Sequence, residues 1–262
     1  MQHIVFKFIL GFGNRLCNLM NMFYIHERYP TALIYINWIK NNHCNICIND
    51  IFDLRQYKFI LSSDDYYNNI FPKNKNLELW ATTSVNERTR WDNIDEWGKH
   101  RCIVSVSYNL YSFVINEYCI KIFNSLIFKE NINALVNNKL LKYGSNQKYI
   151  HFRNGDIINL LSKNESVEKV NCLIEKVKLL KNNFTIFEYD KINIDRNHDD
   201  MLESISELIF LSKYTTILGY SPYSHFSSWV FLLSSNFINN KELYPIFNYK
   251  IIDIILYDDN TK

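Results

Sequence analysis

Three short stretches of this sequence combine glycine, basic residues and hydroxyls in patterns that suit a phosphorylated ligand. The first, Gly11-Phe12-Gly13-Asn14-Arg15-Leu16, follows an apolar run. Two glycines allow a sharp strand-to-helix turn that approaches a ligand closely, and the amides of a helix start attract anions. The third glycine of a dinucleotide-binding turn and the Gly-Lys-Ser/Thr of a nucleoside triphosphate loop are missing, which argues against hydride transfer and ATP hydrolysis. A turn of purely structural value is the alternative.

The second stretch is His151-Phe152-Arg153-Asn154-Gly155-Asp156, at the end of a predicted strand. In a strand His151 and Arg153 point to the same side, so both could reach one ligand beyond the sheet edge. A guanidinium matches phosphate oxygens in geometry, and such a charge-assisted bond contributes about 1.5 to 3 kcal/mol. Asp156 could brace Arg153. The alternative is a surface Arg-Asp pair beside an Asn-Gly turn.

The third stretch leads from the apolar segment 215–219 into a predicted helix and is rich in hydroxyls. Its polar residues are Ser221, Ser224, His225 and Ser227. Hydroxyls and free amides at a helix start form a cradle for an anion, and they are also ordinary capping groups. Among the acidic residues just upstream, we expect Asp199, Asp200 and Glu203 to face solvent. Glu207 could lie near the sheet and in a ligand cleft.

The elements that must position these stretches alternate between strands and helices. Strands are predicted over 3–10, 31–36, 102–107, 148–152, 184–187, 215–219 and 251–256, and helices over 16–23, 117–128, 167–180, 201–209 and 226–233. Short strands separated by longer helices predict βαβ units with parallel sheets, which bind ligands at the carboxyl ends of their strands. Gly144 and Ser145 favour a boundary between domains 1–143 and 144–262.

Composition excludes several classes of protein. With 47% hydrophobic and 21% charged residues the chain can bury a core, and a net charge of +2 provides no strong field to recruit nucleic acid or anionic lipid. No uncharged apolar run approaches the roughly 18 residues that span a bilayer. The first ten residues, with Lys7 among them, are typical of a strand rather than a signal peptide, so a cytoplasmic location is predicted.

Cysteine usage favours reduced thiols over a disulfide framework. The six cysteines are sparse for this length, and His43, Cys44 and Cys47 supply only part of the four ligands that a structural zinc site takes. We therefore predict that the cysteines are small buried apolar residues and that no metal is bound.

In this order the three stretches resemble the fucosyltransferase superfamily, which groups the α1,2-, α1,6- and protein O-fucosyltransferases. The 11–16 turn is similar to the G-x-G-N-[QR]-L opening of that superfamily, and 151–156 is similar to its H-x-R-[RHx]-G-D motif, with Asn154 in place of the commonest second arginine. The segments 207–212 and 224–227 resemble its acidic-led helix and S-x-F-S segment. The resemblance covers both halves and is thin between residues 37 and 148.

The resemblance implies an α/β protein of two Rossmann-like βαβ domains, of the GT-B type, that face each other across a cleft. Residues 1–143 would form the acceptor-side domain and 144–262 the donor domain. The implied reaction is metal-independent, inverting transfer of fucose from GDP-fucose to a glycan or another hydroxyl acceptor, with no further cofactor. A different nucleotide sugar, or a catalytically silent nucleotide- or carbohydrate-binding protein, are the alternatives.

The same resemblance implies roles for individual residues. Arg153 would hold the donor diphosphate, while Asn14 and Arg15 would face fucose and acceptor from the other domain. His151 and Glu207 would contact guanine, although Glu207 stands where an Asp is usual. Ser224 and Ser227 would bind phosphate, and the rest of the predicted donor site consists of Gly11, Gly13, Asp156, Ser221 and His225.

Overall fold

The computed structural model of the protein describes residues 2–62, 78–82, 94–99, 102–106, 110, 114, 116–145, 147–152, 185–188, 197–220 and 225–233. Helices and parallel strands alternate through these residues, which confirms the predicted α/β class. The described residues fall into two compact units, one made of 2–129 with 197–201 and one made of 130–188 with 202–233. No described helix is long and apolar enough to cross a membrane.

The first unit is built on a five-stranded parallel sheet in the order β3-β2-β1-β5-β4. Its strands are β1 His3–Phe8, β2 Leu33–Trp38, β3 Phe59–Leu61, β4 Glu78–Thr82 and β5 Cys102–Val106. The described helices are α1 Phe12–Arg28, α2 Ile48–Ile51, α3 Ile94–Trp97 and α4 Asn116–Ser125. Because β1 pairs with β2 and β5 on either side, residues that follow these three strands begin at the same edge of the sheet.

The core of this unit forms where the sequence predicts it. Ile4, Val5 and Phe6 of β1 are fully buried, as expected for a central parallel strand covered on both faces. On α1 the stripe with helical spacing, Leu16, Leu19, Met20 and Phe23, is buried as well. The strand-turn-helix arrangement of the first 28 residues is therefore confirmed.

Two strands of this sheet were not predicted. β3 and β4 lie between residues 36 and 102, and they form the two edges of the described sheet. An edge strand pairs on one side only and can leave side chains in water; Leu61 of β3 is 47% exposed. β3 is only three residues long and β4 has polar residues at both ends, so neither gave the longer apolar run from which the other strands of this sheet were predicted.

The second unit is built on a three-stranded parallel sheet in the order β7-β6-β8. Its elements are α5 Glu130–Tyr143, β6 Gln147–Phe152, β7 Thr185–Glu188, α6 His198–Tyr214, β8 Thr215–Tyr220 and α7 His225–Leu233, with the first residues of α6 grouped in the first unit. All but α5 follow the predicted alternation. The predicted helix over 167–180 and the predicted strand over 251–256 lie outside the described residues.

Residues 130–143 group with the second unit, whereas the sequence places them before the predicted boundary at 143, which stays a prediction. These residues form the helix α5. Ile132 and Val136 are buried on it and Leu140 is half-buried, at helical spacing, so the sequence carries a signal for this helix that the predicted boundary did not use. Gly144, at φ 76°, donates its amide to the carbonyl of Leu140 and ends this helix as a left-handed cap. The glycine that suggested a linker is therefore a helix end.

Candidate functional site

The turn that follows β1 brings four of the predicted site residues together. Gly11 is the residue that caps α1, with φ −62° and ψ 164°, and its carbonyl accepts from the Arg15 amide at 3.1 Å. That φ is open to any residue, so the conformational freedom of glycine is not what this position uses. Gly13 is buried in the first turn of α1, which carries no acidic residue. The α1 amide dipoles therefore meet no negative side chain of their own.

Arg15 is fixed inside the first unit. It is 1% exposed, its Nε donates to the carbonyl of Leu10 at 2.6 Å, and its Nη2 donates to the carbonyl of Ile39 at 2.7 Å. The guanidinium carbon lies 4.6 Å from the centre of the Trp38 ring. The remaining nitrogen, Nη1, is buried and has no hydrogen-bond partner among the residues that the structure describes. Burial lowers the pKa of Arg15, and Cys44 acts in the opposite direction.

The segment that follows β2 closes over the end of β1. Asn41 donates from Nδ2 to the carbonyl of Ile9, and its Oδ1 accepts from the amides of His43 at 2.9 Å and Cys44 at 3.0 Å. Trp38 donates from Nε1 to the carbonyl of Ile46 at 2.7 Å. Sequence reasoning missed Trp38 and Asn41 as site residues, because their partners are defined by the pairing of β1 with β2.

Two asparagines of α1 differ in their surroundings. Asn14 is half-buried, at the start of the helix, where a ligand above the sheet edge could reach it. Asn18 is buried, donates from Nδ2 to the carbonyl of Lys7 at 2.8 Å and accepts from Ser105 Oγ at 3.5 Å. Asn18 therefore links α1 to β1 and β5. The sequence analysis did not single out Asn18. The available signal is an asparagine flanked by apolar residues one helical turn after Asn14.

The cysteines near this turn form no metal site that the structure supports. Among the residues it describes, no three His, Cys, Asp or Glu side chains lie together as ligands. Cys17, Cys44 and Cys119 are buried, as predicted, but Cys47 is exposed. Cys47 stands at the N-terminus of the surface helix α2, where its amide donates to Asp50 at 3.3 Å. The prediction that every cysteine is buried is therefore wrong for Cys47.

In the second unit the structure describes His151, His225 and Ser227 among the predicted donor residues of 151–156 and 221–227. His151 lies next to the end of β6, and its Cα is paired in register with that of Tyr220, the last residue of β8. His225 and Ser227 lie in the first turn of α7, which has no acidic residue. The predictions for Arg153, Asp156, Ser221 and Ser224 fall outside the described residues.

Glu207 is buried on α6, and its predicted place in a ligand cleft stays a prediction. Glu207 is 9% exposed, whereas Asp199 and Glu203 of the same helix are exposed, as expected, and Asp200 is half-buried. Burial raises the pKa of Glu207 to about 7; Lys139 lowers this pKa and Glu203 raises it. Lys139 of α5 is itself ion-paired with Glu203. Near neutral pH Glu207 thus titrates, so it can switch between a hydrogen-bond donor and a carboxylate acceptor.

Comparison with known proteins finds matches to the structure of this chain but not to its sequence. No family model matches this sequence, and no curated protein matches it either. Solved structures do match. The fucosyltransferase NodZ from Bradyrhizobium matches with a TM-score of 0.56 and 15% identity, over 89% of this chain and 93% of that chain.

Two further structures match at similar levels. A variant of Arabidopsis thaliana FUT1 in complex with GDP has a TM-score of 0.54 and 11% identity, over 88% of this chain and 68% of that chain. POFUT1 in complex with GDP has a TM-score of 0.50 and 12% identity, over 88% of this chain and 94% of that chain. The resemblance indicated by the sequence motifs is confirmed in the fold: this chain has the fold of these fucosyltransferase structures.

Proposed function

We propose that this protein is a glycosyltransferase that moves fucose from GDP-fucose to a hydroxyl group of a glycan or another acceptor. The observation that carries the proposal is the fold shared, over 88–89% of the chain, with fucosyltransferases. One of the matching structures is NodZ soaked with GDP-fucose, at a TM-score of 0.55 and 15% identity. The three sequence motifs add support because they occur in the order of that superfamily. The arrangement of two GT-B domains facing across a cleft is part of the proposal.

The donor diphosphate is assigned to the carboxyl ends of β6 and β8. These strands are parallel neighbours, and His151 is level with Tyr220. Arg153 follows two residues later and Ser221 one residue later, and each covalent step moves the chain by only about 3.8 Å. Both segments therefore leave from one sheet edge. That edge is where open α/β sheets bind ligands.

Arg153 is the residue that we assign to the departing diphosphate. Glycosyl transfer builds negative charge on the leaving group, and fixed cations and amide dipoles can compensate that charge without a metal ion. The first turn of α7, with Ser227 and His225, carries no acidic residue and would supply such dipoles. Ser221 and Ser224 would add hydroxyl donors, and Asp156 would brace Arg153.

The sugar and its acceptor are assigned to the turn after β1. Asn14 is half-buried at the start of α1, where its amide could contact fucose or the acceptor hydroxyl. A general base is optional when the transition state is strongly dissociative. If one acts, the candidates are Asp156 or an acidic residue within 86–96. Inversion at the anomeric carbon and independence from divalent metal belong to the same proposal.

His151 and Glu207 are assigned to the guanine base. A guanine ring donates hydrogen bonds through its N–H groups. A carboxylate is a better acceptor for these hydrogen bonds than a protonated carboxyl group is. With the pKa of Glu207 raised to about 7 by burial, the charged form gains population as the pH rises through neutrality. This assignment therefore makes GDP binding pH-dependent.

Two alternatives remain beside this function. Asn154 in place of the second arginine and Glu207 in place of an Asp are the departures that favour a silent nucleotide-binding protein. The same departures would also suit a transferase for a different nucleotide sugar.

The experiment that separates these functions has a binding arm and a turnover arm. Thermal shift with GDP, UDP and CMP reports which nucleotide stabilises the fold, because a ligand that binds only the native state raises its stability by mass action. GDP release from GDP-fucose, with and without a mixture of glycan acceptors, then reports turnover. Selective stabilisation by GDP with acceptor-dependent release supports the proposal. GDP binding without turnover indicates a silent binder, and preference for UDP or CMP indicates a different donor.

A further inference from the structure

The backbone at residues 8–10, just where β1 ends, is held by three donors from other parts of the first unit. The carbonyl of residue 8 accepts from the Ile39 amide at 3.2 Å, which continues the pairing of β1 with β2. The next carbonyl accepts from Asn41 Nδ2, and the one after it accepts from Arg15 Nε at 2.6 Å. Two side chains therefore replace the strand ladder at the point where it stops.

The same two side chains also hold the segment 39–44, which follows β2. Arg15 Nη2 donates to the carbonyl of Ile39 at 2.7 Å, and Asn41 Oδ1 accepts from the amides of His43 and Cys44. Arg15 thus joins two carbonyls that lie 29 positions apart in the sequence, and Asn41 joins two segments in the same way. We call this arrangement of Arg15 and Asn41 the turn bracket.

Arg15 is not free to act as a mobile contact for substrate. Two of its three guanidinium nitrogens donate to backbone carbonyls, and its guanidinium carbon lies over the Trp38 ring. The third nitrogen, Nη1, has no hydrogen-bond partner in the described part of the chain, but it is buried, so a ligand could touch it only after the bracket opened. No described carboxylate forms an ion pair with Arg15. Its charge is held by carbonyl dipoles and an aromatic face instead.

We propose that Arg15 and Asn41 are positioning residues that fix the 11–14 turn for the transfer reaction by holding carbonyls 9 and 10, without touching the substrate. The inference rests on the proposed function for the reaction itself, while the bracket can be measured without it. It changes the role implied for Arg15 by the sequence resemblance, from a group that faces the sugar to one that acts through Asn14 and its neighbours.

Hydrogen exchange of backbone amides tests the bracket independently of activity. Asn41→Ala should speed exchange in the peptide over 11–16 by about tenfold, the factor that corresponds to the loss of one net hydrogen bond. Arg15→Lys should do the same in the peptide over 39–46, because one ammonium nitrogen cannot span both carbonyls and has no flat face to stack. Asn41→Ala also keeps the test open if Arg15→Lys fails to fold.

Asn197→Ala is the matched control. Asn197 Oδ1 accepts from the Asp200 amide at 2.9 Å, so this change removes a comparable local cap in the same unit. It should leave exchange in both bracket peptides unchanged. If Asn41→Ala or Arg15→Lys speeds exchange only within its own segment, the two segments are not coupled and the proposal is overturned.

Turnover of GDP-fucose gives the second readout. Each single variant should lower kcat by about tenfold with little change in the dissociation constant for GDP, and the double variant should be hardly slower than the worse single one, because both act through one turn. The proposal would be overturned if the losses in kcat multiplied in the double variant. It would also be overturned if the variants bound GDP more weakly with a normal kcat. A native protein that fails to turn over GDP-fucose refutes the proposed function, and the exchange result alone then decides the bracket.

Discussion

Trp38 joins a buried cation to the apolar core of the first unit. Its ring lies 4.6 Å from the guanidinium carbon of Arg15, and its centroid lies 5.1 Å from that of Phe8. Its Nε1 also donates to the carbonyl of Ile46 at 2.7 Å. One side chain therefore supports the end of β1, the segment that follows β2, and the charged residue between them.

Two replacements of Trp38 should separate the contribution of its aromatic ring to stability from the contribution of its hydrogen bond. Trp38→Phe keeps an aromatic face under Arg15 and loses the bond to Ile46, so we expect the free energy of unfolding to fall by about 1 kcal/mol. Trp38→Leu loses the cation–π contact as well, and we expect a fall of about 2 to 3 kcal/mol. Urea denaturation measures both. Equal losses would mean that the aromatic face contributes nothing.

Glu207 should make the stability of the protein depend on pH. Burial raises its folded pKa to about 7, above the usual 4.5, so the folded state holds this proton more tightly than the unfolded state. The resulting stabilisation is complete below the unfolded pKa and is lost as the pH rises through about 7. Its size is about 1.4 kcal/mol for each unit by which the folded pKa exceeds the unfolded pKa. Urea denaturation between pH 5 and 8 measures the slope.

Glu207→Gln should remove this contribution to the slope, since glutamine cannot titrate. Glu117→Gln, on the exposed side of α4, is the control and should keep the slope of the native protein. A Glu207→Gln variant with an unchanged pH dependence would mean that the carboxyl group is not held in its neutral form.

GDP binding should respond to pH in the opposite direction if Glu207 contacts the base. The carboxylate is the better acceptor for guanine N–H groups, so the dissociation constant for GDP should decrease as the pH rises from 6 to 8. Calorimetric titration of the native protein and of Glu207→Gln measures this. An affinity that is independent of pH in the native protein would remove Glu207 from the guanine site.

How much of this could be read from the sequence depends on whether the information is local. The β1-turn-α1 unit was predictable because an apolar run and a stripe with helical spacing lie next to one another. The turn bracket was not, since Asn41 bonds to Ile9 only after β1 and β2 are paired in register. Helix α5 was predictable too, since Ile132, Val136 and Leu140 have helical spacing, but Gly144 was taken for a linker when it ends this helix.

Removal of the positive charge of Lys139 should lower the free energy of unfolding more at high pH than at low pH. It is buried, ion-paired with Glu203, and its charge lowers the pKa of Glu207. In Lys139→Met the pKa of Glu207 should rise further, so the loss of stability should be larger at pH 8 than at pH 5. Lys142→Met, at an exposed position of the same helix, is the matched control and should show no such difference. A loss from Lys139→Met that is equal at both values would mean that Lys139 does not act on Glu207.

Arg153→Ala should abolish transfer and leave thermal unfolding nearly unchanged. A cation that stabilises the departing diphosphate acts mainly in the transition state, so its loss lowers kcat far more than it weakens the ground-state complex. By analogy with the loss of one preorganised donor, we expect kcat to fall by at least about 100-fold. GDP release from GDP-fucose measures this, and thermal unfolding shows whether the fold is kept.

Arg55→Ala is the control for that experiment, because Arg55 is an exposed arginine whose guanidinium pairs with Asp53 at the surface. It should turn over GDP-fucose at the native rate. Unchanged turnover in Arg153→Ala would take Arg153 out of the reaction. A large fall in its unfolding temperature would instead give Arg153 a structural role, since a leaving-group contact at a sheet edge adds little to the stability of the unliganded fold.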